Sequence, residues 1–148
     1  MNQTRGGDII IKPVYENFEA LRTELLSCKR CGLCDGRTNV VVGVGNPKAR
    51  VMLIGEAPGE NEDLRGEPFV GRSGQLMDKM LGYVGLSRTR NIYITNMVKC
   101  HPPQNRDPSK EELALCMEYL SSQIELINPR VIVCIGRIAA TAIISPDY

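Results

Sequence analysis

The chain has 148 residues, of which 43% are hydrophobic and 24% are charged, so a single globular domain is expected and a largely disordered chain is excluded. Its formal net charge of +1 neither requires nor excludes nucleic acid, because an electrostatic footprint depends on how Lys and Arg cluster on the surface. No segment approaches the ~20 consecutive apolar residues that span a bilayer, and the first residues lack the pattern of a signal peptide, so we expect a cytoplasmic protein with no membrane partner.

Apolar periodicity predicts alternating helices and strands along the chain. In order, the predicted elements are a helix within residues 15–27, strands at 40–42 and 50–54, a helix at 73–86, a strand at 91–98, a helix at 110–127, a strand at 131–135 and a helix at 136–144. This alternation is typical of an α/β protein in which helices cover both faces of a parallel-centred sheet. Residues 1–148 are expected to form one domain, with residues 1–14 flexible.

Three of these elements carry more specific predictions about caps and burial. The helix at 73–86 has Ser73 as its predicted N-cap and a predicted buried face made of Leu76, Met80, Leu81 and Val84. Asp107 or Ser109 is available to cap the next helix, whose predicted buried stripe is Leu113, Met117, Leu120, Ile124 and Ile127. The strand at 131–135 is uniformly apolar, as strands inside a parallel sheet are.

Six cysteines stand at positions 28, 31, 34, 100, 116 and 134. In a reducing compartment they are expected to be metal ligands or buried hydrophobic residues rather than disulfides. The two-residue spacing of Cys28 and Cys31 lets both thiolates reach one metal, and Cys100 and Cys116 are able to complete a set of four. The spacing matches neither a zinc ribbon nor a bacterial ferredoxin, so zinc and iron–sulfur both stay open. Cys134 is most simply a core residue.

Two irregular segments follow predicted strands at the edge of the sheet where α/β proteins bind ligands, and both are expected to face one crevice. The first, GEAPG, occupies residues 55–59. Gly55 and Gly59 allow a ligand to approach the backbone closely, and Pro58 stiffens the turn between them. A plain turn from strand to helix would explain the same residues.

Phe69 and Asn96 are the two side chains near this edge that are suited to a planar base. Phe69 lies in a loop framed by Gly66 and Gly71, where it is either a core plug or a rigid stacking surface. Asn96 ends a predicted strand, and its amide donates and accepts in one plane, as reading a base edge requires. The alternative for Asn96 is a buried amide that satisfies loop backbone.

The chain resembles the family 4 uracil-DNA glycosylases, the iron–sulfur branch of their superfamily. The resemblance is carried by residues 55–81 (GEAPGENEDLRGEPFVGRSGQLMDKML), by residues 91–116 (NIYITNMVKCHPPQNRDPSKEELALC) and by the Cys28/Cys31 pair followed by RTNVVVGVGNP. It extends over residues 18–144. It implies a three-layer α/β/α sandwich and a [4Fe-4S] cluster held by Cys28, Cys31, Cys100 and Cys116, with Cys34 and Cys134 outside the ligand set.

The resemblance also implies an activity and a set of site residues. The activity is monofunctional hydrolysis of the N-glycosidic bond of uracil in single- or double-stranded DNA, after base flipping, by a monomer. Phe69 would stack on the flipped uracil, and Asn96 would hydrogen-bond its Watson–Crick edge. The pocket and its water would be placed by Gly55, Glu56, Ala57, Pro58 and Gly59. Other superfamily branches have Asp at the position of Ala57, so Glu56 and Glu60 become the candidates for activating water.

The chain departs from the family in one respect, because it has no histidine in an HPS-like motif. Its one histidine, His101, is expected to lie near the cluster or face DNA. We expect the chain to be a fragment that ends before that motif; the alternative is a natural truncation. The alternative functions are a non-catalytic DNA- or polymerase-associated module and a zinc-stabilised domain of unrelated function. Phosphate contacts are expected from Lys99, Arg106 and Lys29 or Arg30, unless these residues only form a solvated surface.

Overall fold

The computed structural model describes residues 15–147, so the prediction for residues 1–14 lies outside the described residues. The α-helices are α1 (Phe18–Leu26), α2 (Glu60–Arg65), α3 (Arg72–Tyr83), α4 (Lys110–Ile127) and α5 (Arg137–Ile143). The strands are β1 (Val44–Gly45), β2 (Val51–Gly55), β3 (Ile92–Asn96) and β4 (Val131–Cys134), and 3₁₀ turns cover Gly32–Asp35 and Pro103–Asn105. None of the helices in residues 15–147 is both long enough and apolar enough to cross a bilayer.

The four strands of the described chain form one sheet in the order β1-β3-β2-β4. β2 pairs in parallel with both β3 and β4, whereas β1 pairs antiparallel with β3. The predicted parallel-centred sheet is therefore confirmed. β4 is not inside the sheet formed by the described residues: it pairs only with β2, and Val131 and Val133 are exposed. Apolar composition alone does not distinguish an edge strand from a central one, because both bury side chains against a helix.

Helices cover both faces of the sheet, because successive residues of a strand point to opposite sides. On one face Met52 and Ile54 pack with Leu120 of α4 and Ala139 of α5. On the other face, one core cluster contains Leu53, Ile92 and Ile94, with Met77 and Leu81 of α3 packed against them. These two layers around the sheet confirm the α/β sandwich predicted from the sequence.

α4 agrees with its sequence prediction in both its cap and its buried face. The Ser109 hydroxyl accepts a hydrogen bond from the Glu112 amide at 3.2 Å, and the Glu112 carboxylate accepts one from the Ser109 amide at 2.8 Å. This reciprocal pair satisfies two amides that the first turn leaves without partners. All five residues of the predicted stripe belong to the core or pack against it: Leu113, Met117, Leu120, Ile124 and Ile127.

The predicted strand at 40–42 is wrong. These valines are buried but outside the ladder, and the strand next to β3 is the short β1 that follows them. Within residues 15–147, the Val41 amide alone among the three donates a backbone hydrogen bond, to the carbonyl of Lys99 at 2.8 Å. The carbonyl of Val42 accepts from two side chains, the Thr95 hydroxyl at 2.8 Å and the Gln123 amide at 2.9 Å. At Val42, side-chain donors therefore take the place of the backbone amide that a neighbouring β-strand would supply.

The buried face predicted for α3 is largely wrong. Leu76, Met80 and Val84 are 59%, 62% and 71% exposed, and the helix packs through Met77 and Leu81. Gly74 explains this rotation: a side-chain carbon at that position would lie 1.8 Å from the carbonyl oxygen of Phe69. The helix turns its glycine toward this carbonyl, and the residues three and seven positions later follow on the same side.

The loop after β2 contains a helix that the sequence pattern did not indicate. α2 begins after Gly59 and ends at Gly66, whose φ of +74° places it in the left-handed region typical of helix ends. The buried carboxylate of Asp63 accepts hydrogen bonds of 2.9 to 3.0 Å from the amides of Thr38 and Asn39. One of the many carboxylates in this loop is thus structural, since it ties α2 to the segment that follows the first cysteines.

Candidate functional site

The carboxyl ends of β2 and β3 lie side by side. Gly55 pairs with Asn96 in the parallel register. The pairing continues beyond the strands, because the amides of Met97 and Val98 donate to the carbonyls of Gly55 and Glu56 at 2.8 and 3.1 Å. The segments that follow the two strands therefore share one edge of the sheet, as predicted from the alternation of strands and helices.

Phe69 and Asn96 meet over Gly55. A side-chain carbon built on Gly55 would lie 2.3 Å from the Phe69 Cζ atom and 2.6 Å from the Asn96 Oδ1 atom. Such distances are far shorter than a van der Waals contact, so only glycine fits beneath the ring and the amide. The sequence placed these residues at one edge; their convergence on a single point became visible only in the fold.

The side-chain amide of Asn96 has no hydrogen-bond partner among the described residues. The residue is 2% exposed, and within residues 15–147 its side chain forms no hydrogen bond. Among residues 15–147 only Gln123 Oε1 is a fully buried side-chain polar atom without a partner, so the polar atoms of Asn96 keep some contact with solvent. The described residues thus do not use Asn96 to satisfy loop backbone, which was the structural alternative for this side chain.

Glu56 lies at the start of the GEAPG segment, partly withdrawn from solvent. Burial raises the pKa of its carboxyl, the neighbouring carboxylate of Asp107 raises that pKa further, and Arg137 acts in the opposite direction. Asp107 comes from the loop before α4, and the sequence pattern marked it only as a possible helix cap. Glu60, the other candidate for activating water, is exposed at the first position of α2.

The remaining GEAPG residues have mainly structural environments. Ala57 is half-buried and packs against the core cluster beside the cysteines. Pro58 is buried, and Gly59 precedes α2, where its carbonyl accepts from the Asp63 amide at 2.9 Å. The contacts found for Ala57 and Gly59 are therefore packing and backbone contacts.

The four cysteines of the predicted ligand set, Cys28, Cys31, Cys100 and Cys116, line one small cavity. Cys28 and Cys31 follow α1, Cys100 follows β3, and Cys116 lies on α4. Cys34, expected outside the set, lines the same cavity, whereas Cys134 packs against the core cluster at the sheet. Among residues 15–147, no three His, Cys, Asp or Glu side chains are close enough together to hold a single metal ion.

The cavity is apolar enough to disfavour free thiolates. Burial raises the pKa of Cys31, of Cys116 and, to about 11, of Cys100. Arg37 opposes this at Cys100, because its guanidinium donates to the sulfur at 3.4 Å. Lys99 opposes it at Cys116. Two cations thus stand beside the sulfurs, where they would offset negative charge.

Lys99 does not reach the surface, so its predicted phosphate contact is wrong. The residue is 1% exposed, and its ammonium donates to the Thr95 hydroxyl at 2.6 Å and to the Asn96 carbonyl at 2.7 Å. Burial lowers its pKa to about 8. A charge-bearing residue just after a strand looks solvent-facing in the sequence, and only the fold shows that this side chain turns inward.

The other cationic residues of this region are already engaged with neighbours. Arg106 forms a two-pronged pair with Glu112, at 2.7 and 2.9 Å. Arg30 lies over the ring of Tyr119 and pairs with Glu24 at 3.2 Å. His101 shares a 2.6 Å hydrogen bond with Asn105. Contacts of Arg106, Arg30 or Lys29 with DNA phosphates stay predictions.

The sequence profile of the uracil DNA glycosylase superfamily matches residues 42–146. The chain belongs to this superfamily. The matched range contains Gly55, Phe69, Asn96, Cys100 and Cys116, whereas Cys28 and Cys31 precede it.

Individual members of the superfamily are also similar to the chain. It is 52% identical over 125 residues to a Type-4 uracil-DNA glycosylase of Archaeoglobus fulgidus, covering 84% of this chain and 62% of that protein. A Type-4 uracil-DNA glycosylase of Sulfurisphaera tokodaii is 50% identical over 123 residues, with 82% and 56% covered. The resemblance to family 4 is thereby confirmed, and the chain spans about 60% of the length of these two superfamily members.

A segment of a DNA polymerase of Bacillus phage SP01 is similar as well. It is 32% identical over 97 residues, which cover 66% of this chain and 10% of that polymerase. The similarity is thus confined to one segment of a much larger protein.

Proposed function

We propose that the chain is the uracil-binding part of a DNA-repair enzyme that hydrolyses the N-glycosidic bond of uracil in DNA. The observation that carries the proposal is the convergence of Phe69 and the free Asn96 amide over Gly55. Membership in the uracil DNA glycosylase superfamily supports it. A cytoplasmic location, a monomeric state and action on both single- and double-stranded DNA stay predictions from the sequence.

Recognition of uracil follows from the two side chains. The nucleotide must leave the base stack, at a cost of a few kcal/mol, and the flipped base stacks on the ring of Phe69. The Asn96 amide then donates to O4 of uracil and accepts from N3–H. Cytosine presents the opposite pattern, a donor at N4 and an acceptor at N3, so the same amide orientation rejects it.

In the hydrolysis, the bond between C1′ of the sugar and N1 of uracil breaks, and its electron pair leaves with the base. Water adds to C1′ and loses a proton, and the departing uracil anion takes up a proton, so that the products are free uracil and an abasic sugar. We assign the holding of this water to Glu56, since its carboxyl is partly buried with a raised pKa, whereas Glu60 faces solvent. No Schiff-base step is required, because water is the nucleophile.

We further propose that Cys28, Cys31, Cys100 and Cys116 hold a [4Fe-4S] cluster. An all-thiol donor set suits an iron–sulfur cluster, and the four cysteines line one cavity. When bound, the cluster would supply a structural cross-link between the segment after α1, the end of β3 and α4. Arg37 and Lys99 would offset its negative charge.

Incubation with a uracil-containing oligonucleotide, followed by alkali, tests the enzymatic proposal. Strand breaks at uracil are expected, with none in a matched oligonucleotide that carries thymine instead. A full-length protein that leaves the uracil strand intact would remove the enzymatic assignment. Measuring affinity for the same two oligonucleotides separates that result from the second candidate function.

The second candidate is a non-catalytic DNA- or polymerase-associated module. The similarity to a segment of a phage DNA polymerase favours it. Such a module would bind the uracil oligonucleotide without releasing uracil. The pocket residues would be the same, so excision rather than binding distinguishes the two candidates.

Replacing Gly55 with Ala is expected to reduce uracil excision by about 100-fold, because the added carbon must displace Phe69 or Asn96 and displacements near 1 Å cost on that order. The measurement is kcat/KM on the uracil oligonucleotide, with circular dichroism to confirm the fold. Gly82→Ala is the matched control, since nothing lies within 4 Å of the added carbon there. Equal activity of the two variants would contradict the close packing over Gly55.

A further inference from the structure

The backbone of Phe69 adopts an uncommon conformation. Its φ is +52°, in the left-handed region that non-glycine residues rarely occupy. An aromatic residue gains nothing locally from this conformation, so neighbouring groups must hold it there. The contacts of its peptide identify these groups.

Arg88 makes the polar contacts. Its Nη1 and Nη2 atoms donate to the carbonyls of Pro68 and Phe69 at 2.8 and 2.7 Å. Its Nε atom donates to the Asp78 carboxylate on α3 at 3.0 Å. The side chain is 13% exposed, so one planar guanidinium spans two successive carbonyls in a partly desolvated position. Neither Lys nor Gln reproduces this fork.

Gly74 lies against the same peptide. A side-chain carbon built on Gly74 would be 1.8 Å from the Phe69 carbonyl oxygen and 2.1 Å from the carbonyl carbon, so only glycine fits there. The peptide is thus confined by the first turns of α3 and by the guanidinium. At its tip, the Phe69 ring contacts Gly55 beside Asn96. Movement of the peptide would therefore move the ring relative to the amide.

We propose that Arg88 is a positioning residue for the base site, which holds Phe69 in its left-handed conformation and so sets the distance between the stacking ring and the Asn96 amide. The inference rests on the proposed function, in which Phe69 stacks on the flipped base. Arg88 lies between α3 and β3, nearly twenty residues after Phe69. The three donated hydrogen bonds direct the guanidinium to backbone and Asp78, not to a ligand.

A double-mutant cycle of Arg88→Gln and Phe69→Ala tests the inference. Alone, Arg88→Gln is expected to lower kcat/KM for uracil excision by about 10-fold or more, and to lower the ratio of affinities for uracil and thymine oligonucleotides in the same direction. In the Phe69→Ala background the same substitution is expected to change either quantity by less than about twofold. Arg90→Gln is the matched control, because Arg90 is exposed and donates only to the Gly85 carbonyl.

The outcomes are distinguishable. Independent effects of the two substitutions, or no effect of Arg88→Gln, would overturn the inference. If Phe69→Ala alone leaves excision and affinity unchanged, the proposed stacking is wrong, and any effect of Arg88 arises elsewhere. If Arg88 instead contacts a DNA phosphate directly, the inference is also wrong. In that case Arg88→Gln would reduce the slope of log affinity against log salt concentration by about one unit. Arg88→Lys is a second variant, to be used if Arg88→Gln folds poorly. It keeps the positive charge but cannot donate to both carbonyls at once, so we expect it to lose part of the activity without changing the salt dependence of binding.

Discussion

Replacing Asn96 with Asp is expected to lower uracil excision by about 10²- to 10³-fold, the usual effect of removing one preorganised donor from an active site. A carboxylate keeps the acceptor atom but loses the donor to O4 of uracil. It also introduces a negative charge at a residue that is 2% exposed, where desolvation disfavours the charged form. The measurement is kcat/KM on uracil and on cytosine in otherwise identical oligonucleotides.

The control for this variant is Asn128→Asp. Asn128 is exposed at the carboxyl end of α4, in a left-handed conformation that Asp also tolerates. We expect its activity to match that of the unmodified chain. An unchanged rate on uracil in Asn96→Asp would show that another group reads the base. A higher rate on cytosine would instead support the assignment, since the carboxylate accepts from N4 of cytosine.

The second large effect is expected from Cys100→Ser. Cys100 is buried, and its sulfur accepts from Arg37 inside the cavity shared by the four cysteines. Losing one ligand is expected to remove the iron and to lower the free energy of unfolding by more than about 4 kcal/mol, as losses of structural metal do. Iron and sulfide content, visible absorption and a denaturant titration measure these changes.

Two cysteines outside the proposed ligand set provide controls. Cys34 lines the cavity, whereas Cys134 lies on β4. Cys34→Ser and Cys134→Ser are both expected to retain the iron of the unmodified chain. Loss of iron in Cys34→Ser would mean that the ligand set is wrong. A colourless protein with stoichiometric zinc after anaerobic purification would overturn the iron–sulfur assignment altogether.

Features that depend on neighbouring residues were predictable from the sequence. The apolar strands β2 and β3, the long helix α4 and its Ser109–Glu112 capping box agree with their predicted positions. The order of elements also predicted that residues after β2 and β3 share one edge of the sheet. These features follow from backbone period and from hydrogen bonds between residues a few positions apart, which the sequence displays directly.

Features that depend on distant partners were decided only by the tertiary structure. The carbonyl of Val42 does not pair with a β-strand, because it accepts a hydrogen bond from the side chain of Gln123, which is 81 positions away. The side chain of Lys99 is buried because its ammonium donates to the Thr95 hydroxyl and the Asn96 carbonyl, whose positions are set by the folded sheet. Arg88 reaches the Phe69 carbonyl across the packing of α3.

By itself, the sequence determined the α/β class of this protein, most of its helices and strands, and the edge at which Gly55, Phe69 and Asn96 would be found. Only the tertiary structure decided that the ring and the free amide meet over Gly55, and which charged side chains are buried. The physical reason is that periodicity and caps are local properties of the backbone. The position of a side chain in the core is set instead by contacts between segments that are far apart in the chain.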